Sequence, residues 1–550
     1  MSGKIGRRKG RGGIPAGVFF AAALAAVLAS GALLLAAVRA PQDVPRPGGT
    51  LRVRGFAESP KPDLDPASGK WAFITEQIYD GLTRLDDTLQ PVTSLAEYWT
   101  ISKDGRTYDF FLRKGVKFHD DRELTSRDVK FSLERLVRRE TNSPVRDYFL
   151  SKIAGAREFD EGKAKDVAGF RCPNASTFEI QWLNPEVSAL ALLSMSYCKI
   201  LPRDALLAGG REFFYRPVGT GAFRFDSWVR SPMGEILGVR VERNSGYFGR
   251  KPYLDAIEFS PHYTVDHFMN REIDIIPCLS DRLRLGNNQV LEGGPWTISY
   301  LLLSCANPPF DRPLVRKALA LAVDKEKLAA AVRDGEFIRR PTNNFIPPRW
   351  PDFYPIDDPA LFDRARARQM LEDMGYFFDK PFPRPLLLLP AAMRMSGAGP
   401  KFADELESQL GKIEIPLAVR YYQSLREVKD YRQPFLMLVD WAMDFPDPES
   451  LVQPLFHSRA EINLANHRYS GVRVDRLLEE AARETSLSRR NELFVRIERI
   501  LGEEIPAIPL FSNDPLIVAQ PYVRGLKIPL SGFSYLDARD IWLARKDLPQ

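Results

Sequence analysis

Histidine and cysteine are scarce in this 550-residue chain, five and four in number, and their spacing removes the sequence basis for the usual metal and redox sites. No C-x-x-C joins Cys172, Cys198, Cys278 and Cys305, so no zinc or dithiol motif is written here. His262 and His267 stand five apart rather than four and no H-E-x-x-H occurs, which excludes a helical metalloprotease pair. A G-x-S-x-G elbow for a serine nucleophile and a G-K-S/T for phosphate are also missing. Internal repeats are absent, and the alanine-rich N-terminus is the sole low-complexity tract. Acidic residues are lacking from 1–40, where Lys4, Arg7, Arg8, Lys9, Arg11 and Arg39 account for the whole formal charge of +6. The remaining 510 residues are therefore neutral overall, whereas a nucleic-acid binder clusters basic residues on a folded domain. These absences lead to an expectation of no catalytic residue, no metal, no cofactor and no nucleic-acid partner. No cluster of residues here reads as catalytic.

What is present begins with residues 17–38, twenty-two positions without a charge behind the basic tail. A secretory signal needs an apolar core of about 7–15 residues and a spanning helix about 20. The length suits an uncleaved anchor. Val38-Arg39-Ala40 offers a cleavage site, but Pro41 directly after it is unfavourable. Anchor and cleaved signal both stay open, and in either case the basic flank remains cytoplasmic while the rest is exported. In an oxidising compartment four cysteines permit three pairings. Proximity favours Cys172–Cys198 with Cys278–Cys305, and buried free thiols are the alternative. Hydrophobic content of 44% and charged content of 27% are those of a soluble globular protein, and the length suggests about three domains. The 43 prolines favour many strand–loop transitions over a helical solenoid.

The most informative stretch runs from 77 to 136. Tyr108, Phe110 and Leu112 alternate with Asp109, Phe111 and Arg113, the period of a strand with a buried face. Lys114-Gly115 signals a turn, and Val116 and Phe118 predict a partner strand. Thr125 stands three residues before Asp128, a capping box, and Val129, Leu133, Leu136 and Val137 predict one apolar helix face. Downstream, Phe178–Trp182 reads as a strand and 187–195 as a helix. Val315, Ala318, Leu319, Ala322 and Val323 form a helical face before the capping residue Asp324. Ala367, Met370, Leu371 and Met374 form another, closed by Gly375. Ile413, Ile415, Leu417, Val419 and Tyr421 alternate as a strand, 435–439 is an apolar run of buried-parallel type, and Leu493, Phe494, Ile497, Ile500 and Leu501 mark a late helix.

The wording of the 77–136 stretch carries more than its periodicity. GLTRLD, LAEYW, DGRTYDFFLRKGVKFHD and LTSRDVKFSLER occur in order. Together they resemble the signature of the family 5 extracytoplasmic solute-binding proteins, the oligopeptide- and dipeptide-binding components of ABC importers. Asp121 stands where that signature has glycine. The likeness continues through Leu64-Asp65-Pro66, Pro217-Val218-Gly219-Thr220-Gly221-Ala222-Phe223, YFGRKPYLD, the 307–311 segment NPPFD, the WAMDFPDP of 441–448, and PAIPL near the end. Ser304-Cys305 departs from the family's Asn-Thr. Many relatives are lipoproteins with a cysteine just after the signal, a route excluded here because the first cysteine is Cys172.

The resemblance implies an α/β, two-lobed periplasmic-binding-protein fold of type II that closes by a hinge, with an inserted extra subdomain. It implies a first lobe of residues 48–85, 215–300 and 515–550, an insert of 86–214 and a second lobe of 301–514, after an N-terminal signal or anchor of 1–40. It further implies capture of a short peptide in the inter-lobe cleft and delivery to an ABC permease with its ATPase subunits. The protein would sit in the periplasm or at the cell surface, with a membrane contact through the N-terminal helix. By the same likeness Asp444 pairs with the ligand's α-ammonium and Trp441 lines a side-chain pocket; turn capping is the other reading of Asp444. Trp71 is expected on a cleft wall or as a partly buried surface residue, and Gly219, Thr220 and Gly221 near the lobe crossing. Asp440 and Asp447 are expected to be structural, and so is His119. Relatives on this scaffold also take sugars, nickel or other metal chelates, opines and haem. A membrane-anchored sensor and an exported hydrolase remain the alternatives in other classes.

Overall fold

In this computed structural model the described residues are 44–55, 63–277, 283, 287–293, 297–332, 337–347, 362–395, 397–443 and 445–544. The N-terminal segment 17–38 and Asp444 lie outside them. Among the described residues no helix is long and apolar enough to cross a membrane.

A single long strand, Ala507–Ala519, ties the molecule together. All but one of its residues are buried, so both faces must be covered. Its first half pairs antiparallel with Thr297–Leu303, from Leu302 opposite Ala507 to Thr297 opposite Asn513. Its second half pairs antiparallel with Gln289–Glu292 and with Ile275–Pro277. The chain therefore belongs to two sheet halves at once.

On one side, the sheet continues from Ile275–Pro277 to Thr50–Arg54, Ala256–Ser260, Ile236–Arg243 and Phe223–Arg230. On the other it continues from Thr297–Leu303 to Phe435–Ala442, Leu386–Pro390 and Ala418–Tyr422. There the strands alternate between two cores. Leu301, Leu303, Leu387, Leu389, Leu436 and Leu438 face one with the helices Pro313–Ala322, Arg364–Asp373 and Ala398–Gly411. Ile298, Tyr300, Leu302, Leu388, Met437 and Val439 face the other with Glu449–Phe456, Val472–Ala481 and Leu487–Glu504. Helices on both faces explain the unbroken apolar runs in these strands.

A four-stranded antiparallel sheet, in the order Ala96–Ile101, Thr107–Leu112, Thr177–Gln181 and Phe170–Asn174, carries a separate core drawn mainly from residues 82–200. Helix Ser126–Val137 packs on it. Both halves of its capping box form between Thr125 and Asp128. From Leu201 onward, Leu206 and Phe213 included, apolar side chains join the core around Thr50–Arg54 instead.

Two elements differ from the sequence expectation. Val116 and Phe118 do not form the partner strand of Thr107–Leu112, whose neighbours are Ala96–Ile101 and Thr177–Gln181. They belong to a tight loop closed by a lone bridge between Lys117 and Glu123, and are buried because the loop folds onto the core. Asp121 turns that loop at φ 67°, a left-handed conformation that favours glycine and that aspartate tolerates. In the second case only Ala418–Tyr422 is strand. Ile413, Ile415 and Leu417 are buried ahead of it as the chain leaves helix Ala398–Gly411, so their alternation reflects apolar packing in a turn.

Candidate functional site

Where Ala507–Ala519 passes from one half of the sheet to the other, its side chains become polar. Asn513 donates from Nδ2 to Ser299 Oγ at 2.9 Å, and Ser299 donates to Asp440 Oδ1 at 2.5 Å. Asp514 is fully buried and accepts from Arg340 Nε at 2.7 Å, while Arg340 Nη2 reaches Glu292 at 2.9 Å. A carboxylate without water needs such a partner. The crossing is thus held by a chain of polar contacts between strands of both halves. Asp440, exposed near the carboxyl end of its strand, accepts from Ser299 on the neighbouring strand.

Phe435–Ala442 runs parallel to Leu386–Pro390, and a crevice beyond the carboxyl ends of such strands is the usual ligand position in open α/β sheets. Trp441 stands at that end, half-buried against the second core, with its indole Nε1 donating to the Ser450 carbonyl at 3.3 Å. That bond fixes the ring while leaving part of it exposed.

The loop after Trp441 is anchored elsewhere. Phe445, 2% exposed, enters the core of the four-stranded subdomain and meets Tyr148 edge-to-face at 5.3 Å. Asp447 accepts from the Glu449 backbone N–H at 2.8 Å and pairs with Arg490. Glu449 takes Arg490 Nη2 at 3.0 Å through one oxygen and Lys152 Nζ at 2.8 Å through the other. Lys152 also holds Glu186 at 2.8 Å, and Ser188 donates to the second Glu186 oxygen. Burial alone would raise the Glu449 carboxyl, but Lys152 and Arg490 outweigh it and hold Glu449 below the usual carboxylate range. For Glu186 burial prevails over Lys152 and the carboxyl is raised. Asp447 is accordingly structural, as expected, and Lys152, Glu186, Glu449 and Arg490 had no signal in the sequence.

The remaining predicted site residues fall in other places. Trp71 is 5% exposed and packs in the first core between Phe259, 5.3 Å away between ring centres, and Trp228, at 6.3 Å. A bulky aromatic near a cleft motif reads the same in sequence whether it lines the cleft or fills the core behind it.

The Gly219–Gly221 turn is a joint. His119 accepts from Gly219 N at its Nδ1, 3.1 Å, so its Nε2–H donates to the Gly221 carbonyl, 3.0 Å. Burial pushes His119 down to about 4, which keeps this neutral tautomer. A Cβ on Gly219 would lie 2.1 Å from the Ile78 carbonyl oxygen, and one on Gly221 2.3 Å from that of Gln77. Close backbone approach, not a left-handed conformation, requires both glycines. Thr220 donates to Asp80 Oδ2 at 2.9 Å, and Tyr247 to Oδ1 at 3.1 Å. Burial raises the Asp80 carboxyl despite these donors.

A cavity of about 650 Å³ is lined by charged groups such as Glu76, Asp80, Lys199, Asp537 and Arg539, and Lys199 is paired with Glu76 at 2.7 Å. Its walls come from residues 76–94, 194–250 and 525–540, none from 297–519. It therefore cannot be the space between the two halves of the sheet. A smaller cavity, about 220 Å³, lies where Lys152, Asn184 and Glu186 face Glu449, Glu479 and Arg483.

Cys172, Cys198 and Cys305 are free, so the Cys172–Cys198 pairing does not form, and Cys278 of the other expected pair lies outside the described residues. Burial pushes the thiols of Cys198 and Cys305 up to about 12, far from reactive thiolates. Among the described residues no group of three or more His, Cys, Asp or Glu could hold a metal ion.

Comparison with known proteins gives a consistent picture. Residues 90–463 match the profile of the bacterial extracellular solute-binding proteins, family 5. The chain is similar to the dipeptide-binding protein of Escherichia coli (strain K12), 25% identical over 498 residues, covering 86% of this chain and 90% of that one. It is similar also to heme-binding protein A of Haemophilus influenzae, 27% identical over 480 residues and covering 82% and 84%. Among solved structures it resembles the periplasmic binding protein DppA of Helicobacter pylori in complex with peptide STSA, with a TM-score of 0.72 and 24% identity over 90% of this chain and 98% of that one. The last likeness establishes a common fold.

Proposed function

The chain belongs to the family 5 bacterial extracellular solute-binding proteins, and on that premise we propose that it captures short peptides between its lobes and hands them to an ABC permease. The observation that carries this reading is the crossing of Ala507–Ala519. One strand shared by two sheet halves leaves a small number of chain passages about which the halves can move, the arrangement needed for hinge closure around a ligand. A ligand that touches both halves stabilises the closed form by its differential affinity for it.

In this reading the lobes are 48–85 with 215–300 and 515–550, and 301–514, the insert being 86–214. Trp441 supplies an aromatic wall that accepts many side chains. Asp444, directly after Trp441-Ala442-Met443 in the WAMDFPDP segment, pairs with the peptide's α-ammonium; an ion pair with added hydrogen bonds replaces the hydration that a closing cleft removes. Gly219, Thr220 and Gly221 support the first lobe's wall from behind, and Trp71 does so through its core packing. The protein works outside the cytoplasmic membrane, with residues 17–38 as a tether or a removed signal. A second reading, a non-peptide solute on the same scaffold, draws support from the likeness to a heme-binding protein.

Native mass spectrometry of residues 41–550 as purified, followed by denaturing extraction, tests this. A ladder of short peptides is expected. One sugar, haem or metal-chelate mass in its place overturns the peptide assignment.

A further inference from the structure

The insert and the second lobe meet through charges that are each already partnered on their own side. Lys152 lies against Glu186, and Glu186 against Ser188, all within the insert. Arg490 lies against Asp447 and Glu449, all within 301–514. Among the described residues, Lys152–Glu449 at 2.8 Å is the one ion pair that joins the two sides. The Lys152, Glu186, Glu449, Asp447 and Arg490 side chains are at most 14% exposed, so an unpartnered charge here would be costly. Parting the two sides leaves none. Lys152 keeps Glu186, and Glu449 keeps Arg490. Phe445 is the apolar counterpart, seated against Tyr148 in the insert's core but carried by the second lobe's loop. The small cavity between Glu186 and Glu479 shows that this seam is not packed solid.

We propose that this seam is a reversible clasp, in which Lys152–Glu449 and Phe445 fasten the insert to the second lobe on closure and release it on opening. The inference rests on the proposed hinge-closing function and assigns the insert a part in it. The clasp also anchors the chain directly after Asp444, since Phe445 is the next residue and Glu449 follows four positions later. Lys152 is a positioning residue and touches no ligand. A seam built to stay shut would share its counter-charges across the boundary, because each would gain from the other side's field. Here direct pairing across the boundary is confined to one ion pair, and each of the other charges keeps a direct partner on its own side.

The test uses the exported chain, residues 41–550, without added ligand. Small-angle scattering and thermal unfolding are measured for Lys152→Met, Glu449→Gln, their double variant, and the conservative Lys152→Arg. The expected result is a larger radius of gyration in both single variants, no further increase in the double, and return toward the wild-type value in Lys152→Arg. In the same variants the dissociation constant for a probe dipeptide, Met-Leu, should rise about tenfold. Unchanged scattering and affinity with a lowered unfolding midpoint would identify a static joint and overturn the clasp. Should Lys152→Met fail to fold, Glu449→Gln, nearly identical in shape, and Lys152→Arg still decide the matter. Wild-type protein that ignores Met-Leu while the variants still expand would refute the peptide reading alone; normal peptide binding with no expansion would refute the clasp alone.

Discussion

Glu498 offers a quantitative test of the second lobe's interior. It lies on helix Leu487–Glu504, 1% exposed, with Oε1 accepting from the Phe345 backbone N–H at 2.5 Å and no partner for Oε2. Burial pushes its carboxyl up to about 8, against 4.5 in an unstructured chain, and the N–H donors of Phe345 and Ile346 only partly offset this. The native state therefore keeps a proton that the unfolded state releases above pH 4.5, and stability falls as pH rises until the folded group itself ionises near pH 8. Each pH step in that window costs about 1.4 kcal/mol, so by pH 7.5 the deficit relative to pH 4.5 approaches about 4 kcal/mol. Glu498→Gln keeps the shape and the acceptor oxygen but cannot ionise. The variant should match wild type near pH 4.5 and exceed it increasingly toward pH 8. With an unfolding entropy of about 1 kcal/mol per degree for a chain of this size, the Tm gain at pH 7.5 is about 4 °C. Differential scanning calorimetry at pH 4.5, 6 and 7.5 measures it. A gap between variant and wild type that does not change with pH would refute the reasoning.

Other outcomes follow from the same geometry. Gly221→Ala places a methyl 2.3 Å from the Gln77 carbonyl oxygen and 2.5 Å from the Ile78 carbonyl carbon, both backbone, and should cost about 3 kcal/mol in urea unfolding; a loss under 1 kcal/mol would contradict the close approach. His119 should remain neutral, with the proton on Nε2, down to about pH 4 in NMR titration; a midpoint near 6.5 would exclude the described bonds to Gly219 and Gly221. If the ligand is a peptide with a free amine, Asp444→Asn should weaken binding by about 2–5 kcal/mol in calorimetry, and an unchanged affinity removes Asp444 from the amine site.

How far the sequence reading reached follows from what kind of interaction each feature rests on. The capping box at Thr125 and Asp128, the alternation of Thr107–Leu112 and the buried run at 435–439 are local patterns, and each appears where expected. The alternation over 413–421 misled because burial in a turn can copy the period of a strand. Gly219 and Gly221 were recognisable as close-approach residues, but whether backbone or ligand approaches them depends on residues 77 and 78, far off in sequence. Trp71 failed to reveal its place for a related reason, since its neighbours Trp228 and Phe259 lie about 160 and 190 residues away. Lys152 and Glu449 are separated by 297 positions, and neither falls in a motif. Interactions of this kind leave no periodic trace.

The position of Ala507–Ala519 in the chain also has a consequence for how the protein is made. Both halves of the sheet have this strand in their interior, yet it follows every other strand of that sheet in the chain. Until residue 519 is available, Thr297–Leu303 on one side and Ile275–Pro277 on the other each present a bare edge. Completion of both is thereby deferred until this strand has been made, after the four-stranded sheet's own core is already available to fold.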